Sequence, residues 1–596
     1  MPSYKAPVRD TRFVLEEVLD IGQYAALPGF GELTPELMNS ILEEGARFTE
    51  EVLQPLNQTG DRSGCTRDAN HAVTTPPGFK RAYHQFIEAG WGGLSGDPAY
   101  GGQGLPHVIS TAFEEYLISA NMAFSMYPGL TLGAIAAITA VGSDEQKALY
   151  LPPMVAGRWT GTMNLTEAHC GTDLGLLRTR AEPAPDGSYR LTGTKIFISA
   201  GEHDLSENII HLVLARIPGS PESVKGISLF IVPKFLVNPD GSLGPRNAVT
   251  CGALEEKMGI HGNATCVMNY EGATGFLVGE RDKGLRAMFI MMNAARLGVG
   301  LQGLAISEVA TQNAANYARD RLQGRALGGV KNLQGPADPI IVHPDVRRML
   351  MTARAFNEGA RALALWGALQ VDLAHLAPAP EARQDAEDLI GLLTPVIKAY
   401  FTDQGYFNAT NAQQCFGGHG YVRDWGMEQF VRDARIAMVY EGTNGVQALD
   451  LVGRKLAAHG GRALRLFLRE VTTAVENARK TPATAEAAET LGCALADLQA
   501  ATGWLMRNAM TRPEQAGAAS TPYLYLLALV ALGHVWLRML VVAERKLAEG
   551  GESAFHANKR ITAHYFFRHA LPETAVHRAR VEVGADPVMA LAAEDF

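Results

Sequence analysis

Gly298-Val-Gly300-Leu-Gln-Gly303 is a run whose residue types and spacing could do chemistry. A G-x-G-x-x-G turn lets backbone N–H groups cradle a dinucleotide pyrophosphate, and Asp320 follows at about the twenty-residue distance where an acid would take the ribose. That chemistry needs glycines that leave a strand and open a helix. Here Met288 to Asn316 reads as one continuous helix, so these glycines are expected to allow close helix packing instead. No G-x-S-x-G, H-E-x-x-H or Walker A run occurs, which leaves serine hydrolase, zinc protease and P-loop chemistry without a foothold. Cys65, Cys170, Cys251, Cys266, Cys415 and Cys493 are scattered without a C-x-x-C pair. That spacing predicts no zinc or iron–sulfur site and no dense disulfide framework, only free thiols in a reducing compartment.

Four other segments carry more. They are Leu165-Thr-Glu-Ala-His-Cys-Gly-Thr-Asp173, Leu191-Thr-Gly-Thr-Lys-Ile-Phe-Ile-Ser-Ala-Gly201 and Lys257-Met-Gly-Ile-His-Gly-Asn-Ala-Thr-Cys266. The fourth runs from Ala412-Gln-Gln-Cys-Phe-Gly-Gly-His-Gly-Tyr421 through Arg432-Asp-Ala-Arg-Ile436 to Tyr440-Glu-Gly-Thr443. Their order and spacing resemble the flavin-dependent acyl-CoA dehydrogenases over residues 40 to 457. The terminal extensions resemble those of the longer bacterial members, the 3-methylmercaptopropionyl-CoA dehydrogenase group among them.

That resemblance implies a mainly α fold with a central β domain: an α-helical domain, a β domain and a four-helix bundle around FAD and an acyl-CoA thioester, plus an additional C-terminal helical domain. It implies α,β-dehydrogenation to the trans-2-enoyl-CoA within fatty acid β-oxidation, on 3-methylthiopropionyl-CoA or a fatty acyl-CoA. Electrons would pass to an electron-transfer flavoprotein, and the extra helices would favour a homodimer over a tetramer. Such a reaction needs a base for a weakly acidic α-proton, donors for charge growing on the thioester oxygen, and a hydride acceptor facing the β-carbon.

Residue by residue, Glu441 matches the family's catalytic base, and burial beside flavin and thioester would raise its pKa. Some relatives place the base just before an arginine of the bundle's first long helix; here that position is Ala295, preceding Arg296, and alanine cannot accept a proton. The Glu441 N–H and a ribityl hydroxyl would hold the thioester oxygen. Tyr440, Gly442, Thr172 and Arg296 complete the implied substrate set. Thr166 and Ser199 match flavin contacts, and Phe197 stands for a common tryptophan beside the ring. Arg321 matches the arginine that pairs with the FAD pyrophosphate across a subunit interface, although the usual Phe-Gly that follows is Gln323-Gly324 here. Gln414, Gly417 and Gly418 match the segment reaching the ADP part of FAD from the neighbouring subunit, with Thr443 and Gln447 completing the cofactor set. Met122, Met126 and the run Tyr127 to Thr131 read as either acyl-tunnel lining or core. His419 and His261 read as structural.

The elements that must position these residues follow from pattern. With 596 residues the chain is too long for a single core. A leader, residues 1–35, precedes a helical domain over 36–159. A β-rich domain with runs at His211–Ala215, Ile227–Val232 and Thr265–Tyr270 covers 160–280. A four-helix bundle covers 281–460, and further helices cover 461–596. The 53 Lys plus Arg against 62 Asp plus Glu argue against broad nucleic-acid binding. The acidic amino terminus lacks an apolar signal core, which points to the cytoplasm. The greasiest stretch, Pro522–Gly533, falls short of the roughly 20 residues of a membrane span, so no insertion is expected.

Rival readings are an oxidase of the same fold, separable by oxygen consumption, and a catalytically retired scaffold, disfavoured by the intact constellation. A third is a DNA-associated flavoprotein of that fold, but from Gly461 onward about 15 basic residues face about 14 acidic ones, without the expected cationic excess.

Overall fold

Apolar, β-branched runs between Trp159 and Val278 build a seven-stranded sheet. In this computed structural model, which describes residues 2–550 and 553–596, the chain forms two units. The first comprises residues 47–105 and 120–298; the second comprises 2–46, 106–119 and 299–596.

In the first unit the strands lie in the order Trp159–Asn164, Asn208–Ala215, Ser228–Pro233, Thr265–Val278, Tyr189–Ser199 and Arg180–Pro183, and Val249–Leu254 also pairs with Thr265–Val278. Trp159–Asn164 runs parallel to Asn208–Ala215; the other pairs are antiparallel. Asn208–Ala215 and Ser228–Pro233 are buried along their whole length, which is why their sequences are apolar except at Asn208, His211 and Ser228. Thr265–Val278 carries two register shifts, at Cys266/Met268 and Glu271/Ala273. These bulges let one strand pair with Tyr189–Ser199 first and with Ser228–Pro233 at its end. Helices Met122–Val141 and Asp144–Val155 pack Ala134, Ile138, Leu151 and Met154 against Leu212, Leu229 and Ile231 of the sheet. Asn121 caps the first by accepting from Phe124 N at 3.1 Å, and Ser143 with Gln146 forms a capping box for the second. Two of the expected β runs, His211–Ala215 and Thr265–Tyr270, sit inside longer strands, the third, Ile227–Val232, is shifted by one residue to Ser228–Pro233, and four more strands join them in the sheet.

The second unit is helical. The helix Gly284–Asp320, which belongs to this unit from Val299 onward, is continuous, so Gly298, Gly300 and Gly303 lie mid-helix, as the packing reading predicted. A Cβ on Gly303 would lie 2.2 Å from Phe401 O, and one on Gly405 would lie 2.3 Å from Gly303 O. The two helix backbones therefore touch where these glycines face each other. Helices Pro344–Leu376, Pro380–Cys415 and Met427–Ala437 complete this layer. Beyond it, Arg462–Ala478, Pro482–Asn508, Ser553–Tyr565 and Glu573–Val583 surround the long helix Pro513–Ala548.

That last helix corrects the estimate from Pro522–Gly533. It runs 36 residues, and by length and composition it is one of three described helices apolar enough to cross a membrane, with Met122–Val141 and Gly284–Asp320. Its most apolar window is 89% buried inside the protein. Trp536 at its centre is fully buried, and its Nε1 donates to Ala355 O at 3.0 Å. A Cβ on Gly359 would lie 2.5 Å from Trp536 Nε1, so the indole needs a glycine opposite it.

Candidate active site

In the first unit, Thr166 lies just past the end of strand Trp159–Asn164, and its carbonyl accepts from Ile196 N at 2.9 Å. Simple alternation along Tyr189–Ser199 would point residue 197 toward the core, like Leu191 and Lys195. The structure breaks that rule. Phe197 has φ +60°, the register slips opposite it, and Ile198 is buried in its place. The bulge leaves Phe197 60% exposed, an arrangement that alternation cannot produce. Ser199 sits half-buried two residues on.

Beneath this edge lies a buried pair to which the sequence reading gave no role. Lys195 donates to Glu167 Oε1 and to Leu165 O, each at 2.9 Å. Glu167 also accepts from Arg178 N at 2.8 Å, Thr179 N at 3.0 Å and Thr179 Oγ1 at 2.6 Å. Burial works against the carboxylate's charge, but Lys195 and these donors hold its pKa below the usual range. Burial brings the Lys195 ammonium down to about 8. Together they fix the loop that carries Thr166. Thr172 lies exposed further along it. Arg296 is buried and donates to Asn293 Oδ1 at 3.3 Å.

Two tempting groups in this unit are structural. His261 joins the Lys257 carbonyl at 2.7 Å to the Asp61 carboxylate at 2.8 Å. Tyr127 donates to Gly262 O and accepts from Ala264 N, both at 3.1 Å. Met122, Met126, Tyr127 and Thr131 are buried, and Gly129 and Leu130 partly so.

In the second unit, Glu441 and Gly442 have φ of +55° and +81°. A non-glycine residue in the left-handed region costs about 1–3 kcal/mol, so something must hold Glu441 there. The turn's carbonyls are held from within. Lys398, fully buried on Pro380–Cys415, donates to Gly442 O at 2.7 Å and to Asn444 Oδ1 at 2.8 Å. Gln447 Nε2 donates to Glu441 O at 3.1 Å, while its Oε1 is buried without a hydrogen-bond partner. Thr443 caps the helix Asn444–Asp450 by accepting from Val446 N at 3.3 Å. The Tyr440 hydroxyl donates to Gln302 Oε1, and burial pushes its pKa well up. Tyr440, Glu441, Gly442, Thr443 and Gln447 therefore form one cluster. Lys398 was missed, although a lysine inside the apolar run Leu389–Phe401 was a readable signal.

A second cluster in the same unit joins Arg321 to the Gln414–Gly418 segment. Arg321 N bonds to Tyr317 O one turn back, and the Tyr317 ring stacks on Phe416 at 4.1 Å. His419 accepts or donates at 2.8 Å to the Tyr317 hydroxyl and stacks on Trp425 at 4.5 Å, which accounts for it structurally. The loop after Arg321 is organised by Asp338, which is fully buried and accepts from Ala326 N at 2.8 Å and Asn332 N at 2.6 Å. These N–H donors lower its carboxyl to about 2.

Several features of this geometry suit FAD. Phe197 offers an exposed aromatic face. Arg321 is exposed, and among the described residues no carboxylate pairs with its guanidinium. A Cβ on Gly417 or Gly418 would meet nothing within 4 Å, so the backbone there is open to a ligand. The orphaned Gln447 Oε1 adds an unfilled acceptor. Each feature fits a part of such a cofactor.

Comparison with known proteins agrees with these features. Family models described as the N-terminal, middle and C-terminal domains of acyl-CoA dehydrogenase match residues 37–158, 162–273 and 282–457. A fourth, acetyl-CoA dehydrogenase C-terminal like, matches 467–592. The chain is 44% identical to 3-methylmercaptopropionyl-CoA dehydrogenase of Ruegeria pomeroyi, over 98% of this chain and 99% of that one. It is 34% identical to the broad-specificity linear acyl-CoA dehydrogenase FadE5 of Mycobacterium tuberculosis, over 99% of both. A chain solved in work on the electron transferring flavoprotein of Acidaminococcus fermentans superposes with a TM-score of 0.58 at 26% identity, covering 72% of this chain and 99% of that one.

Proposed function

The chain belongs to the acyl-CoA dehydrogenase family of FAD-dependent oxidoreductases, and within it we propose that this enzyme oxidises short, unbranched acyl-CoA thioesters, 3-methylthiopropionyl-CoA among them, to the trans-2-enoyl-CoA. The observation that carries the reading is the Glu441 turn: a carboxylate on backbone strained into the left-handed region and anchored through its own carbonyls. Glu441 removes the α-proton of the thioester. The carbonyls of Glu441 and Gly442 turn to Gln447 and Lys398, and the Glu441 N–H donates to the thioester oxygen as charge develops there. Bound FAD supplies the acceptor for the β-hydride.

Thr166, Phe197 and Ser199 hold the flavin ring. Arg321 meets the pyrophosphate, for which a planar guanidinium with free donors is suited. Gln414, Gly417 and Gly418 receive the ADP portion, Thr443 and Gln447 contribute from the turn, and Tyr440, Gly442, Thr172 and Arg296 meet the substrate. The family pattern in which Arg321 and the Gln414–Gly418 segment serve a neighbouring subunit makes the working form a homodimer. Electrons leave to an electron-transfer flavoprotein. Six cysteines, all free, support a reducing, cytoplasmic setting.

Anaerobic titration of the purified flavoprotein with butyryl-, octanoyl-, palmitoyl- and 3-methylthiopropionyl-CoA tests the reading. Bleaching of the flavin by the short thioesters is expected, with Glu441→Gln slowing it by at least about 10³-fold, the scale expected for loss of a positioned base. No bleaching by any thioester, with FAD bound, would overturn it. Rapid oxygen consumption would replace the flavoprotein acceptor with an oxidase half-reaction.

A further inference from the structure

We propose that Tyr525, on the helix Pro513–Ala548 of the additional C-terminal domain, is a positioning residue for the Glu441 turn, acting through Asp403, Asn444 and Lys398. The inference rests on the reading of Glu441 as the base. The Tyr525 hydroxyl donates to Asp403 Oδ2 at 2.6 Å. Asp403 Oδ1 accepts from Asn444 Nδ2 at 2.7 Å, and Asn444 Oδ1 accepts from Lys398 Nζ at 2.8 Å. Lys398 Nζ donates to Gly442 O at 2.7 Å, on the residue after Glu441. Four hydrogen bonds thus run from the added domain to the strained turn.

The polarity of this chain is what gives it a function. An amide side chain has a donor end and an acceptor end, and turning it over exchanges them. Asn444 must present its oxygen to the Lys398 ammonium. It does so because its NH₂ group faces Asp403 Oδ1 and, at 3.2 Å, Ala399 O, which can only accept; Thr402 Oγ1, 3.0 Å from Nδ2 and 3.3 Å from Oδ1, serves either end. Asp403 is the anion of the two obligate acceptors, so it sets the direction of the amide. Tyr525 in turn fixes the carboxylate by taking its second oxygen, and the ring is itself clamped between His577, stacked at 5.3 Å, and the edge of Tyr400 at 5.3 Å. Burial raises the Asp403 pKa, and the hydrogen bonds from Tyr525 and Asn444 oppose that rise. Without Tyr525 the carboxylate is free to rotate, Asn444 loses its directional partner, and Lys398 loses one of its acceptors beside the turn. The added domain then does more than cover the bundle: it fixes where the base stands.

The test uses the full-length holoenzyme and two variants on the same helix. Tyr525→Phe deletes the hydroxyl. Tyr523→Phe deletes a hydroxyl that meets Thr502 Oγ1 at 2.8 Å, away from this chain, and serves as control. Hydrogen exchange is read on a peptide spanning residues 438–447 without substrate, and steady-state rates are read with the best acyl-CoA. Tyr525→Phe is expected to speed exchange of that peptide about tenfold and to lower kcat about tenfold with KM unchanged, the mark of a transition-state interaction. Tyr523→Phe should change neither. Equal exchange in the two variants, or a Tyr525→Phe effect on KM alone, would overturn the proposal. Should Tyr525→Phe fold poorly, Asp403→Asn is measured in its place, with the same changes expected and the same results overturning the proposal. Failure of the parent reading looks different: wild-type flavin would not bleach, while the exchange difference would still report the linkage.

Discussion

Arg361 and Lys398 are buried cations on helices of the same unit, yet they serve opposite kinds of partner. Arg361, on Pro344–Leu376, meets three carboxylates: Asp10 at 2.5 Å, Glu115 at 2.6 Å and Glu308 at 3.0 Å. Lys559 shares Asp10 and reaches Glu358 at 2.8 Å. That hub ties the leader, the helix His107–Ala120, the bundle and the C-terminal domain together, segments hundreds of residues apart. Lys398 instead donates to a backbone carbonyl and an amide oxygen within one local turn. Charge against charge across long sequence separation holds an assembly. Charge against backbone dipoles holds a conformation. One hub should therefore show in stability and the other in rate.

Replacing Arg361 makes the largest break. Arg361→Met leaves the buried Glu115 and the part-buried Glu308 without their cation, with Asp10 held by Lys559 alone, and removing one partner of a buried ion cluster costs about 3–5 kcal/mol. Urea unfolding should show that loss, while kcat per folded molecule stays near the wild-type value. A large fall in kcat at full folding would erase the distinction between the hubs.

Lys398→Met is the reciprocal break. The Gly442 carbonyl and the Asn444 amide lose the ammonium donor, and Glu441 is freed to leave a φ of +55°. The expected result is a roughly 10²-fold fall in kcat, or about 2.7 kcal/mol in the barrier. The stability loss should be smaller, about 1–2 kcal/mol for a buried acceptor left unmade. Rates and unfolding curves on the same preparation decide it. A change in stability as large as that of Arg361→Met would place both residues in one class.

These two regions also show which parts of the molecule were legible beforehand. The Tyr440-Glu-Gly-Thr443 cluster is contiguous in sequence, so its type and spacing were readable, as was the mid-helix placement of Gly298, Gly300 and Gly303. Local helical periodicity revealed the additional C-terminal helices. What supports the site was hidden because it depends on distant pairings. Nothing near Lys398 announces that Gly442, 44 residues on, will be its acceptor. Nothing near Tyr525 announces Asp403, 122 residues away. The outward turn of Phe197 was hidden from period-two alternation, because it depends on a bulge opposite Cys266–Met268. Pro522–Gly533 was read as too short because counting stopped at His534 and Arg538, whereas the helix carries both inside Pro513–Ala548.

Asp372 sharpens the comparison with the smallest effect. It is the mirror image of Lys398: a buried charge held by backbone, accepting from His107 N at 2.7 Å and Val108 N at 3.0 Å at the start of helix His107–Ala120. No lysine or arginine pairs with it among the described residues. Burial raises its pKa to about 6, with the two N–H donors and His375 opposing the rise. The unfolded value is near 3.9. The folded state therefore holds this proton more tightly, so the contribution favours folding below about pH 4 and is lost as pH rises through about 6. The expected slope is up to about 1.4 kcal/mol per pH unit inside that window. Glu115 titrates nearby, pushed to about 7 by burial, so the readout is the difference between wild type and Asp372→Asn across pH 4 to 7. Wild type should lose stability relative to the variant as pH rises, because asparagine keeps an acceptor for one N–H and has no charge to bury. A flat difference would mean that two backbone donors suffice to keep a buried carboxylate ionised, and that backbone dipoles serve an anion as well as they serve Lys398.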